Sequence, residues 1–451
     1  MMQPIPLDRS DLPVRRELGT SRTYRWLLAG AVALCWLVCT IAQLEKYLSV
    51  EKAGAVALLG CLGIVTCMAG LWWHYRRGRD VNRWAVVAVF GVLVLSFLVL
   101  YPKSQRHAAN KGSDREDALR VELVAVSHHE YPYDAKTFLG HRPTPLPGAM
   151  LLASPFFLTG HIAFQNLAWA AIFLAMLLSF FERRATGVVF FCVFLLAALE
   201  NLNDFDVGGD YVTNIMYIAV AIFLFDRAIR RPGSRLLAVA SIGLLGIALS
   251  SRIVYIVALP PLLGLALQKT TLRRALLFIS LAVMVAALVT IPVFLPHPMG
   301  RILTQLGQNA DKFQNLPRWI PPSSLPVAAL ALGCVAFFIR MNLARVYLLF
   351  GSSSLIMILP PMASVIHAEG GLGRPLPTDL EYLAISAIFL SLWLFWSFER
   401  KGIRHIECPE NVLPSKSVRL FLVLKARSSQ QWSEQSLQDP CVVYPQEIAV
   451  I

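Results

Sequence analysis

Carboxylates and histidines are concentrated in one polar stretch between apolar segments, residues 110–142, NKGSDREDALRVELVAVSHHEYPYDAKTFLGHR. A partly buried carboxylate has a raised pKa and can accept a proton from a hydroxyl group, which is general-base chemistry. Asp114 and Asp117 are three residues apart, so they lie on one face of a helix. One hypothesis is that both project into a cleft at the boundary of the apolar segments, where one acts as a base on an acceptor hydroxyl. The stretch holds six acids beside three histidines and an arginine: Asp114, Glu116, Asp117, Glu122, Glu130, Asp134, His128, His129, His141 and Arg142.

Some of these residues also have a simpler interpretation. Acids in the first turn of a helix interact favourably with its dipole, by less than about 1 kcal/mol each, and need no catalytic role. His128 and His129 are metal-ligand types, but adjacent side chains on a helix point in different directions. No further ligand pair at matching spacing accompanies them. We therefore expect no metal site and treat both histidines as candidate substrate contacts.

Other polar residues between apolar segments are candidates for binding a substrate. Tyr133 and Asp134 lie in the YPYD turn, where nearby prolines rule out a continuous helix. Asp210 precedes an apolar segment, where it could contact a sugar or close a polar turn. Arg252 has almost no loop around it, so its charge must reach water or meet an anion such as a lipid phosphate. Arg374 is a phosphate candidate or a solvated loop charge.

The composition shows which elements must position these residues. Of 451 residues, 56% are hydrophobic and 15% charged, and the mean hydropathy is +0.58. These values indicate a membrane protein. The net charge of +13 comes from short basic clusters between apolar runs, so it indicates topology, and no nucleic-acid partner is expected. The eight cysteines have no metal-ligand spacing, and we expect no disulfides.

Apolar runs of about 20 residues can cross the hydrocarbon core as helices. The sequence therefore predicts an all-α polytopic membrane protein with about 12 transmembrane helices and a large outer loop that contains interfacial helices. The predicted spans lie near 24–42, 54–73, 84–101, 162–181, 186–200, 211–226, 236–250, 252–268, 274–295, 326–341, 344–361 and 380–398.

The distribution of basic residues predicts the orientation of the chain. The clusters HYRRGRDVNR, DRAIRRPGSR and KTTLRR are expected in the cytoplasm, with both termini. The resulting organisation is a cytoplasmic segment 1–23, three spans in 24–101, an outer catalytic loop 102–161, the other spans in 162–398 with outer loops 296–325 and 362–379, and a cytoplasmic tail 399–451.

Two helices are predicted within the outer loop. Ser113 and Glu116 form a capping box, so a helix is expected to begin there. Leu119, Leu123 and Val126 would form its apolar face and rest on the membrane surface. The apolar segment 145–158 is too short to span and is expected in the outer interface.

With this topology, the chain resembles the GT-C superfamily of membrane glycosyltransferases, especially the bacterial mannosyl- and arabinosyltransferase-like branch that uses polyprenyl-phosphate sugars. The features that carry the resemblance are the acidic motif SDREDALR in a large outer loop, the YPYD and TPLPGAMLLASPF stretches, and the short-looped spans that follow. They cover roughly residues 84–300. The chain departs from the family pattern in three ways: two extra spans precede the acidic loop, the acids have the order D-x-E-D instead of an adjacent pair near a first helix, and no soluble C-terminal domain is expected.

The resemblance implies that an outer-loop aspartate deprotonates the acceptor hydroxyl, which then attacks the anomeric carbon with inversion. Asp117 is the first candidate for this base, followed by Asp114 and Glu116. The implied partners are a polyprenyl-phosphate-linked sugar, a glycan, lipid or protein acceptor, and membrane lipid. The implied location is the inner (plasma) membrane of the cell envelope, with the active site outside the cytoplasm. No cofactor is expected, although Mg²⁺ or Arg252 could assist the phosphate leaving group.

The main competing hypothesis is a polytopic transporter or lipid flippase. Such a protein needs charged or polar groups at mid-membrane, and spans such as 84–101 and 274–295 contain no charged residue in their interior. A non-catalytic membrane scaffold is a further alternative. The accumulation of charge in an outer loop favours interfacial chemistry over both.

Overall fold

The computed structural model describes residues 22–45, 48–76, 80–105, 114–231, 233–301, 305, 316, 319–368 and 382–407. All regular secondary structure in these ranges is helical, which confirms the all-α prediction. The α-helices are α1 (Arg22–Leu44), α2 (Val50–Arg76), α3 (Arg83–Ser104), α4 (Arg115–Ser127), α5 (Pro147–Leu158), α6 (Phe164–Phe180), α7 (Arg184–Phe191), α8 (Leu199–Asp206), α9 (Tyr211–Arg230), α10 (Arg235–Leu249), α11 (Leu259–Lys269), α12 (Leu272–Phe294), α13 (Ser324–Cys334), α14 (Leu343–Ala368) and α15 (Leu383–Glu407).

The chain is a polytopic membrane protein. Within the described residues, α3, α9, α12, α14 and α15 are long and apolar enough to cross a membrane, and α7 with α8 makes a sixth candidate as a bent pair. Shorter apolar helices include Leu27–Ala42 of α1, α6 and α10. Each of the twelve predicted spans coincides with helical structure, whereas the number that cross the membrane stays a prediction.

The predicted span 186–200 is not one straight helix. After α7 the chain forms a π-helical turn, Cys192–Ala197, and then bends by 75° into α8. The sequence explains the break, because the apolar run ends where LENLNDFD begins and each polar side chain needs its own partner. Glu200, Asn201, Asp204 and Asp206 of α8 are buried. The span hypothesis placed most of these polar groups in a solvated outer loop.

The α4 helix forms as predicted, but its apolar face is shorter. Asp114 is its N-cap residue, and the capping-box residue Ser113 lies outside the described residues. Leu119 and Leu123 are buried against Tyr133 and other residues of a cluster that includes α5, so this face packs on protein. Val126, predicted for the same face, is 39% exposed and lies in the last turn of the helix.

Close backbone contact attaches the start of α5 to the end of α10. The N–H of Leu146 donates to the Ser251 carbonyl and the N–H of Gly148 to the Ser250 carbonyl, each at 3.2 Å. A Cβ atom on Gly148 would lie 2.1 Å from the Ile247 carbonyl oxygen, so only glycine permits this approach. The start of α5 is thereby held beside Arg252.

The chain forms two compact units. The first unit ends at Trp396 and contains helices α1 to α14. The second is residues 397–451, of which the structure describes 397–407, the end of α15.

Candidate active site

An open cleft of ≈ 330 Å³ lies where the end of α3 meets α4 and the end of α5. Two carboxylates, one guanidinium group, one phenol, one amide and two phenylalanine rings line it. The lining residues are Tyr101, Gln105, Glu116, Asp117, Arg120, Phe138, Phe157, Gly160 and Ile162. We call this the acidic cleft. It contains two of the three predicted catalytic acids, Glu116 and Asp117.

Glu116 is held by the end of α3. The Tyr101 hydroxyl donates to its carboxylate at 2.9 Å, and the Gln105 amide donates at 2.8 Å. Burial raises the pKa of Glu116 above its usual value, whereas the hydrogen bond from Tyr101 and the charge of Arg120 act in the opposite direction. Gly208, at φ +80°, lies behind this carboxylate, and a Cβ there would approach Glu116 Oε2 to 2.8 Å.

Asp117 has a different partner at each oxygen. Oδ1 accepts from Arg120 Nη2 at 2.7 Å, and Oδ2 accepts from the backbone N–H of Phe138 at 2.8 Å. The Asp117 side chain is 11% exposed and that of Arg120 is 63% exposed. The ion pair therefore has one solvated partner, Arg120, while the bond to Phe138 holds the carboxylate.

Asp114 does not line the cleft. Its Oδ2 accepts from the Thr137 hydroxyl at 2.7 Å and contacts His141 Nδ1 at 3.0 Å. Asp114 and Asp117 are thus on one side of α4, as predicted, but both bind the turn at residues 137–141. The structure assigns Asp114 a positioning contact, and its catalytic role stays a prediction.

The remaining loop candidates lie apart from the acidic cleft. His128 and His129 follow α4, about 20 Å along the helix from Asp114, and both are exposed. Asp134 pairs with Arg301 at 3.0 Å. Tyr133 is buried and stacks on Phe294 with ring centroids 5.4 Å apart. Arg374 lies outside the described residues.

Arg252 meets an anion, as its position predicts, but that anion belongs to the protein. Arg252 Nη2 donates to Asp210 Oδ2 at 2.8 Å, and the two side chains are 13% and 4% exposed. Asn214 also donates to Asp210 Oδ2, at 2.9 Å. Arg252 Nη1 donates to the Thr144 hydroxyl at 3.4 Å. Two predicted binding residues, Arg252 and Asp210, therefore form one buried ion pair between chain segments 42 residues apart.

Glu122 was not predicted as a site residue. It is fully buried, and neither carboxylate oxygen has a hydrogen-bond partner. Burial, followed by the charge of Asp210, raises its pKa well above the usual value, and Arg252 partly opposes this. The signal in the sequence is a glutamate between Leu119 and Leu123, on the apolar face of α4. A buried carboxylate without partners is costly, which makes Glu122 a functional candidate.

A contact that the sequence did not predict connects the first turn of α4 to the helix α8. Arg115 of α4 forms an ion pair with Asp204 of α8, and its guanidinium lies 5.6 Å from the Tyr211 ring centroid. Asp204 Oδ2 also accepts from the Val212 backbone N–H at 2.8 Å. These contacts join the first turn of α4 to α8 and α9. Among the described residues, no group of three His, Cys, Asp or Glu side chains could hold a metal ion.

No known protein family matches the chain, and no curated protein is significantly similar to it in sequence. Among solved structures, the chain is similar to the crystal structure of ArnT from Cupriavidus metallidurans bound to undecaprenyl phosphate, with a TM-score of 0.41 and 14% sequence identity. The similarity covers 72% of this chain, which spans 64% of the length of that structure.

Proposed function

We propose that this protein is a membrane glycosyltransferase that moves a sugar from a polyprenyl-phosphate donor to an acceptor hydroxyl outside the cytoplasm. The observation that carries the proposal is the acidic cleft, in which carboxylates, an arginine and aromatic rings meet at the end of an apolar helix. General-base chemistry, phosphate binding and sugar binding each have a suitable side chain there.

An apolar surface on α3 leads to the cleft and could hold the chain of the donor lipid. Leu95, Leu98 and Leu100 of α3 are 63%, 53% and 41% exposed, and the next residue, Tyr101, lines the cleft. A polyprenyl chain along α3 would therefore bring its phosphate to the cleft. Phe138 and Phe157 offer rings for the apolar face of a sugar, and Gln105 offers an amide for its hydroxyl groups.

Arg120 is the cation in the cleft available to a phosphate. Its present partner is the Asp117 carboxylate, and a phosphate can replace that partner with two parallel hydrogen bonds. The exchange would free Asp117 Oδ1 while Phe138 continues to hold Oδ2. Donor binding would thereby prepare the base, so that the donor binds before the acceptor is activated.

The reaction follows from this arrangement. Asp117 takes the proton of the acceptor hydroxyl, and the acceptor oxygen forms a bond to the anomeric carbon. The bond from that carbon to the phosphate oxygen breaks, its electron pair leaves with the lipid phosphate, and the configuration inverts. Glu116 is the alternative base. The reaction needs no metal, and Mg²⁺ would act only as an aid to the leaving phosphate.

The same proposal includes the location of the protein. The chain would lie in the inner membrane, with both termini in the cytoplasm and the cleft on the other side. Helix α12 supports the proposal that the basic loops and the outer loop lie on opposite sides of the membrane. It begins within the basic KTTLRR cluster and is about 33 Å long. At its other end, the last residue, Phe294, stacks on Tyr133 of the outer loop.

A transporter or flippase remains the second candidate because acids lie inside the helical bundle. The Thr40 hydroxyl of α1 donates to Glu200 at 2.5 Å, and Ser96 of α3 donates to Asp206 at 2.9 Å. Both acids are on the bent helix α8. Buried acids among spanning helices mark ion or substrate pathways in many transporters.

The proposal is tested by transfer of radiolabelled sugar from synthetic polyprenyl-phosphate donors to acceptors in membranes. Wild type, Asp117→Asn, Glu116→Gln and the exposed control Glu130→Gln are compared at matched protein levels. We expect transfer by the wild type and the control and a loss of at least about 100-fold in Asp117→Asn. Equal transfer by all four would contradict the acidic-cleft mechanism. No transfer from any donor would favour the transporter.

A further inference from the structure

A second cavity, of ≈ 440 Å³, lies where the ends of α9, α11 and α12 come together. Its lining residues are Ile229, Arg230, Lys269, Thr270, Thr271 and Arg274, and none of them belongs to the acidic cleft. We call it the basic cavity. Three basic side chains around one open volume repel each other unless an anion enters it.

The protein itself offsets only part of this charge. Arg230 Nε donates to Asp226 Oδ1 at 2.9 Å, and the Asp226 side chain is 6% exposed. Among the described residues, one carboxylate is therefore ion-paired with one of the three cations of the cavity, Arg230, Lys269 and Arg274. A guanidinium group has five N–H donors, so Arg230 can bind an anion while it keeps its bond to Asp226.

The start of α12 adds a further attraction for anions. Thr271 is the N-cap residue, and its hydroxyl accepts from the Arg274 backbone N–H at 3.4 Å. Because both residues line the cavity, the positive end of the α12 dipole lies there as well. Helix α12 has 23 residues, so this dipole is fully developed.

The surface next to the cavity is apolar. Leu272, Leu276 and Leu277 of α12 are 63%, 45% and 52% exposed, within one turn of Arg274. A free phosphate ion makes no use of such a surface, whereas the acyl chains of a phospholipid would cover it. Charge in the cavity and leucines beside it are therefore two parts of one lipid-binding surface.

The position along the membrane agrees with this ligand. The basic cavity is at the start of α12, whereas the end of α12 contacts the outer loop, about 33 Å away, which matches the thickness of a bilayer. We infer that the basic cavity binds the phosphate headgroup of an anionic phospholipid, with its acyl chains along the leucines of α12. This site is separate from the proposed reaction and does not depend on it.

The test measures lipid binding to the purified full-length protein. Binding of phosphatidylglycerol and phosphatidylcholine is compared by native mass spectrometry and by the rise in the thermal unfolding midpoint that each lipid causes. The variants are Lys269→Gln with Arg274→Gln, and Arg235→Gln as the control. Arg235 is exposed at the start of α10 and lies outside the cavity. The control variant therefore removes the same kind of charge without changing the cavity.

We expect the wild type and Arg235→Gln to prefer phosphatidylglycerol. The double variant should bind it about 10- to 30-fold more weakly, because each basic contact with an anionic headgroup contributes several-fold in affinity. Inorganic phosphate at millimolar concentration should neither compete nor stabilise. Equal binding by the wild type and the double variant would overturn the inference, as would competition by inorganic phosphate. If the double variant does not fold, Lys269→Gln alone provides the comparison, and no change in its affinity would also overturn the inference.

Discussion

The Asp117 carboxylate accepts a hydrogen bond from the backbone N–H of Phe138 at 2.8 Å, across 21 residues of chain. One residue thereby faces the acidic cleft and fixes the turn that carries a ring of the same cleft. The position of Phe138 and the orientation of the proposed base depend on each other.

The two roles of Asp117 can be separated by substitution. Asparagine keeps an oxygen that accepts the Phe138 N–H but cannot take a proton, whereas alanine loses both functions. We expect Asp117→Asn to unfold close to the wild-type temperature and Asp117→Ala to lose about 1–3 kcal/mol of stability. Thermal unfolding in detergent measures the difference, and equal stability of the two variants would show that the turn does not depend on this bond.

Tyr101 should influence the pH dependence of transfer if Glu116 is the base. Its hydroxyl donates to the carboxylate and lowers the pKa of Glu116, which burial raises. Tyr101→Phe removes this donor, so the pKa of Glu116 rises further and the acidic limb of the activity profile moves to higher pH. Tyr131→Phe, outside the cleft, is the matched control. An unchanged profile in Tyr101→Phe would instead favour Asp117 as the base.

Glu122 should reduce stability in a pH-dependent way. Its pKa is raised in the folded protein by burial, so the folded state favours the protonated form. The contribution of Glu122 to stability is therefore present at low pH and is lost as the pH rises through the folded-state pKa. Glu122→Met should raise the stability by about 1–3 kcal/mol at neutral pH, with a smaller gain in acid. Unfolding measured across pH 5–8 tests this expectation, which a constant gain would contradict.

The loss of one partner of the Arg252–Asp210 ion pair should destabilise the protein more than the loss of both. Asp210→Asn leaves a buried guanidinium without its counter-charge and should cost about 3–5 kcal/mol. The double variant Asp210→Asn with Arg252→Gln should be more stable than Asp210→Asn alone. A double-mutant cycle on thermal unfolding measures the coupling. If Arg252→Gln weakened donor binding without loss of stability, Arg252 would be a donor contact, as its sequence context predicted.

The sequence alone determined that this is a membrane protein and that its architecture is helical. Hydropathy and helix length are local properties, so the positions of the helices and the placement of the acids on the separate helix α4 followed directly from the apolar and polar runs. The capping pattern likewise located the start of α4 to within one residue. These predictions needed no knowledge of which helices are neighbours.

The tertiary structure decided which of those acids share a cleft and which are buried. Tyr101 reaches Glu116 from α3, Asp114 turns to Thr137, and Arg252 pairs with Asp210 across 42 residues. Each of these contacts depends on how helices pack and on how buried charges find partners, which residue spacing within one segment does not encode. For the same reason the sequence did not predict that Glu122, one of the acids of the outer loop, is fully buried.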